Sequence, residues 1–174
     1  MALLTVIYFP DPRLKQRCIP IEKIDDNIRK LVEDMYETMY HERGVGLAAN
    51  QVGIVKRIFV MDVSDNHNQR ICAINPEIIS VDGVYTEQEG CLSFPGAYDN
   101  VERGASLRFK ALGADGKPYE MSADGVMAKC VQHEMDHLNG KLFVDHLSRL
   151  KQERARVKLE KYKRQHPSDH KKKL

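Results

Sequence analysis

The stretch QHEMDHLNG, residues 132–140, sets two histidines four positions apart and closes on Asn139-Gly140, the type of pair that stops a helix. On an α-helix such positions lie one above the other, about 6 Å apart along the axis at 1.5 Å per residue, so His133 and His137 share a face and can grip one ion. Glu134 lies about 100° round from His133, beside such an ion rather than on it, where a carboxylate can take a proton from an activated water. A chance match to His-Glu-x-x-His in a chain this long is on the order of one in a few hundred. The competing reading is a pair of histidines satisfied by hydrogen bonds on a polar face.

At 174 residues and 42% hydrophobic content, the chain is sized for one compact domain with a proper core. Its start, MALLTVIYFP, has no basic region followed by an apolar run, and no stretch nears the 18 apolar residues of a bilayer span, so a cytoplasmic protein with no membrane partner is expected. Four cysteines without a secretory signal argue against a disulfide framework and for metal ligation or core filling. The net charge of +2 is unevenly shared: from Arg149 onward eleven basic residues face three acidic ones, a local +8, and the preceding residues carry −6. Residues 1–147 are therefore expected to form the catalytic unit, and 148–174 a basic helix with a flexible tail.

In DDNIRKLVEDMYETMY, Ile28, Leu31, Val32, Met35 and Met39 recur at spacings of three and four after an Asp that can cap, which predicts an amphipathic helix ending near RGVG. RIFVMDVS, RICAINPEIIS and SLRFKALGADGKPYEMSA are rich in β-branched and alternating apolar residues and predict antiparallel strands, the last folded back at Asp115-Gly116. Helical character returns from about Ala123 to Leu138. The fold class is thus α+β: antiparallel sheets around a central helix carrying the histidines, with an N-terminal and a C-terminal helix.

A catalytic metal site of this kind needs a third protein ligand and an open position. Downstream, Asp145 and His146 are candidates, although LNGKLFVDH does not fit the metzincin spacing. Upstream, EGCLSFPG (residues 89–96) holds Cys91, either a thiolate ligand suited to transition metals or a small buried hydrophobe. A third segment, GVGLAANQVG (residues 44–53), has glycines that let backbone approach a ligand and a lone polar Gln51 among small neighbours.

Taken in order, GVGLAANQVG, EGCLSFPG and QHEMDH resemble the three signature motifs of the peptide deformylase family. The resemblance extends from PDPRL at residues 10–14, through the DGKP hairpin, to LFVDHLS. It implies Cys91, His133 and His137 as ligands of one divalent transition metal, with Fe²⁺ suggested in the cell and Zn²⁺, Ni²⁺ or Co²⁺ also compatible with the donors. It implies Glu134 as general acid and base, and Gln51 with the backbone N–H of Leu92 as oxyanion donors. Val45, Gly46, Glu89, Val126 and Cys130 would bind substrate, Gly46 through its backbone. The implied reaction removes the formyl group from formyl-methionine at the N-terminus of newly made polypeptides and releases formate. An endopeptidase with the same histidine motif, and a basic RNA-associated module with an incidental metal site, are the competing functions; specific DNA recognition is not expected.

Glu87 and Lys129 carry charge near the expected methionine pocket, where relatives are often apolar. They are either two solvated rim charges or a pair across the pocket mouth that leaves an apolar inner wall of Val45, Val126 and Cys130. The C-terminal segment starts with a capping Ser148 and reads as helical to about Arg164. The resemblance associates this helix with the ribosome surface, where its cations would meet phosphates.

Overall fold

The computed structural model describes residues 2–167. The Asp25 side chain accepts the Ile28 N–H and so caps α1 (Asp26–His41), whose Ile28, Val32, Met35 and Met39 are buried as their spacing predicts. Arg43, with φ of 59°, turns the chain out of the helix towards the first strand.

Seven strands come next: β1 (Gly46–Ala48), β2 (Ile58–Met61), β3 (Ile71–Asp82), β4 (Tyr85–Cys91), β5 (Phe94–Arg103), β6 (Ser106–Leu112) and β7 (Pro118–Asp124). Their pairings are antiparallel. Five form a sheet in the order β1-β2-β3-β6-β7, while β4 and β5 form a separate two-stranded sheet. The β6–β7 turn falls at Gly116, whose φ of 80° suits glycine, as the Asp-Gly pair anticipates.

All four residues of β2 are buried because the larger sheet is covered on both faces. Ile58 and Val60 join the cluster of Val32, Met35 and Met39 from α1, and Phe59 and Met61 join that of Val131, Met135 and Leu138 from α2 (Gly125–Leu138). Alternate residues of a strand point to opposite faces, so one short strand anchors both helices. The arrangement is α+β, with the histidine-bearing helix enclosed.

The β4–β5 hairpin was not foreseen from the sequence. β4 reads YTEQEGC and only Glu89 in it is fully buried, so neither apolar alternation nor strand propensity marks it. β5 carries the packing face, with Phe94, Ala97 and Val101 buried against Leu142 and Phe143. Ala155 and Leu159 of α3 (Arg149–Gln165) complete this cluster, and the Ser148 side chain accepts the Lys151 N–H at the helix start. The C-terminal helix is therefore docked on β5; the tail expected beyond it, residues 168–174, lies outside the described residues. The four cysteines are free thiols, and no helix among the described residues is long and apolar enough to cross a membrane.

Candidate metal centre

α2 brings the two imidazoles together as its geometry requires: His133 Nε2 and His137 Nε2 lie 3.2 Å apart. The third donor comes from the end of β4, where an irregularity between Glu89 and Cys91 re-aims the strand. Cys91 Sγ lies 3.3 Å from His137 Nε2, and the ligand atoms of Cys91, His133 and His137 all fall within 4.8 Å of one another. Tetrahedral edges around an ion held by nitrogen at about 2.0 Å and sulfur at about 2.3 Å come to about 3.3–3.6 Å, so the donors fit one such ion. Asp145 and His146 do not join them. Asp145 accepts the Leu142 N–H and caps the turn Phe143–His146, while His146 Nε2 sits 2.8 Å from Asp136.

The local charges favour a cation at this junction. Burial lowers the His133 imidazole, but hydrogen bonding to Cys91 and Glu89, with their negative charge, outweighs it and raises the group to about 10. Burial, then the charges of His133 and Arg103, push His137 well below its ordinary value. The pair thus favours holding a single proton, on His133.

Behind His133 stands a network whose roles the sequence reading did not assign. Glu89 Oε1 lies 2.9 Å from His133 Nδ1, and Arg103 donates to both oxygens of Glu89 at 2.8 and 2.9 Å. Arg103 also donates to Asp136 at 2.6 Å. Burial works to raise the Glu89 carboxyl, yet the hydrogen bonds from Arg103 and His133 hold it at about 2. Glu89 therefore lines the cleft with both carboxylate oxygens hydrogen-bonded to Arg103 and one of them also close to His133. The one local signal was its position two residues before Cys91. Arg103 had none, because its partners lie on a neighbouring strand and on α2.

Glu134 is 2% exposed, and its Oε2 has no hydrogen-bond partner among the described residues. Burial pushes its carboxyl up to about 7, against the opposing charge of His133. Gly46 explains how a backbone passes so close: a Cβ there would lie 2.8 Å from Glu134 Oε1 and 2.9 Å from Cys130 Sγ. Gln51 is fixed by Ala48, whose N–H donates to Oε1 at 2.9 Å, leaving Nε2 to donate to Ser93 Oγ at 3.2 Å and to Cys91 Sγ at 3.6 Å.

These groups open onto a cleft of about 460 Å³ between the edge of β1 and the end of β4. Leu92 lines it, as do Val45, Gly46, Val126 and Cys130; Val45 and Val126 are about half exposed. Lys129 and Glu87 form the ion pair foreseen as one of two readings, Nζ to Oε2 at 3.2 Å, and Tyr85 donates to the same carboxylate oxygen. The Tyr85 hydrogen bond, then Lys129, holds the Glu87 carboxyl below its usual value.

Fold and site together fit a metal-dependent hydrolase of the His-Glu-x-x-His kind, with Cys91, His133 and His137 placed where they could hold one ion. Residues 3–153 match the family described as polypeptide deformylase. The peptide deformylase of Alkalilimnicola ehrlichii is 54% identical over 95% of this chain and 93% of its own length, and that of Azotobacter vinelandii 54% identical over 95% and 99%. A crystal structure of a peptide deformylase from Legionella pneumophila, 48% identical, superimposes with a TM-score of 0.94 over 95% of this chain and 98% of the other. The chain belongs to the peptide deformylase family.

Proposed function

We propose that the protein removes the formyl group from formyl-methionine at the N-terminus of newly made polypeptides, and works where these are made, in the cytoplasm. The observation that carries this reading is the meeting of Cys91, His133 and His137 beside a buried Glu134 and the Gln51 amide, on an open apolar cleft.

Cys91, His133 and His137 would hold one divalent transition metal, which we take to be Fe²⁺ in the cell. Such an ion, when bound, supplies Lewis acidity and makes water a hydroxide source near neutral pH. Glu134, whose carboxyl burial pushes up to about 7, would be the group that takes a proton from the attacking water and gives it to the leaving amine. Gln51 Nε2, giving up its long contact with Cys91 Sγ, and the Leu92 N–H would donate to the oxygen on which charge develops; one such donor is worth about 3–4 kcal/mol of barrier. Glu89, clamped by Arg103, orients His133 through Nδ1 and keeps Nε2 turned to the other ligands.

Two strand edges support the handling of a peptide. β1 is the outer strand of its sheet, and β4 has only β5 as a strand partner among the described residues, so an extended chain can lie between them. The methionine side chain then meets Val45, Val126 and Cys130, with the Lys129 stem at the rim. The exposed cations of α3, among them Lys151, Arg154 and Lys158, suit docking to ribosomal phosphates.

The test is an anaerobic incubation with a formyl-Met peptide, its unformylated counterpart and a longer unblocked polypeptide; oxygen is excluded because thiolate and iron are both open to oxidation. Formate from the first substrate alone supports the reading. Cleavage of internal bonds without formate release would replace it with an endopeptidase.

A further inference from the structure

A lysine stands in the wall that would receive the methionine side chain. Strand β4 keeps Tyr85 and Glu87 half-buried and Glu89 buried, while Thr86 and Gln88 between them are exposed, so the first three share its inward side. Members of this row follow at about 6.6 Å, close to the spacing of about 6 Å between residues four apart on a helix. Glu87 therefore meets Lys129 and Glu89 meets His133 along α2. Val126, Lys129, Cys130 and His133 occupy one face of that helix, and all four line the cleft.

The Lys129 side chain is only 18% exposed, so its stem is packed and its ammonium is fixed at the rim. Nζ lies 3.2 Å from Glu87 Oε2, and Tyr85 donates to the same oxygen. Glu87 is the one ion-pair partner of Lys129 among the described residues. An ammonium carries three N–H donors, so donors remain for a bound molecule. The paired carboxylate offsets the charge, and the pocket still admits an apolar side chain. Glu87 and Tyr85 are thus positioning residues that act through Lys129.

We infer that Lys129 equips this pocket for an oxidised first residue, so that the protein also deformylates peptides beginning with formyl-methionine sulfoxide. The inference rests on the deformylase reading. Oxidation of methionine turns a flexible apolar side chain into a polar, chiral one. Against Val45, Val126 and Cys130 alone, the sulfoxide oxygen would be buried without a donor, a cost that turns such a peptide away. A lysine N–H on the same wall supplies that donor, and a hydrogen bond from a charged group is of the stronger kind. The hydrolysis is unaltered: water adds across the same formamide C–N bond, formate leaves, and the sulfur keeps its oxidation state.

Anaerobic formate release from formyl-Met-Ala-Ser and from the two separated sulfoxide epimers of the same peptide tests this. Wild type should process at least one epimer with a kcat/KM within about tenfold of the unoxidised peptide. Lys129→Met, which keeps the length of the side chain and removes the donor, should widen that gap by a further factor of about ten or more, chiefly through KM. Lys129→Arg, which restores a charged donor, should hold the wild-type gap. The inference is overturned by a larger gap for both epimers in wild type, by a gap unchanged in Lys129→Met, or by equal widening in Lys129→Arg. No formate from the unoxidised peptide in wild type overturns the deformylase reading itself and this inference with it.

Discussion

Glu134 and Lys129 lie on the same helix and show how burial decides what a charge does. Glu134 is enclosed and has an oxygen without a hydrogen-bond partner among the described residues, and burial raises its carboxyl into the range where it can both take and give a proton. Glu134→Ala should keep the metal, because it supplies no ligand, and should lower kcat by about 10²–10⁴-fold; metal content and turnover measured on one preparation check both halves. Lys129 has its ammonium at the cleft rim, paired to a Glu87 whose side chain is 38% exposed. Such a pair is worth no more than about 1 kcal/mol and is screened by salt. KM for a formyl-Met peptide should therefore vary with ionic strength in wild type and much less in Lys129→Ile, and the same salt profile for both would dismiss the pair from substrate binding.

Between elements, Asp62 joins the end of β2 to α1 and to the cleft. Its N–H donates to the Val45 carbonyl at 2.8 Å, and Tyr40 of α1 donates to its carboxylate at 2.6 Å. Burial works to raise this carboxyl, and hydrogen bonds from Ser64 and Tyr40 outweigh it, so it titrates below its ordinary value. A depressed carboxyl adds stability that is complete above its unfolded value of about 3.9 and is lost as pH falls through the lower folded value. Asp62→Asn should cost about 1–3 kcal/mol near pH 7, with the gap to wild type closing below about pH 4 in urea titrations. The elements that were legible in the sequence are those marked by one period or by an apolar run: Ile28, Val32, Met35 and Met39 on α1, the buried run Ile58–Met61 of β2, the paired histidines of α2. β4 escaped because its one buried side chain is Glu89, which salt-bridged partners and not apolar contacts keep inside.

Across the whole molecule, two sheets close around α2 and leave one side open. The ligand set was implied by the resemblance of three short motifs, each of which spans a few residues. The clamp on His133 could not, since Glu89, Arg103 and Asp136 meet only when β4, β5 and α2 pack together. The basic C-terminal helix was visible as a change of charge, but its Tyr162 reaches the cleft through packing on β5, which charge does not reveal. These arrangements bring a sulfur and two imidazoles within 4.8 Å of one another, where they could hold a single cation. X-ray absorption of protein purified without oxygen tests that directly: the account predicts one sulfur at about 2.3 Å and two imidazole nitrogens at about 2.0–2.1 Å, with the sulfur lost in Cys91→Ala. A first shell of nitrogen and oxygen alone in the wild type would contradict it.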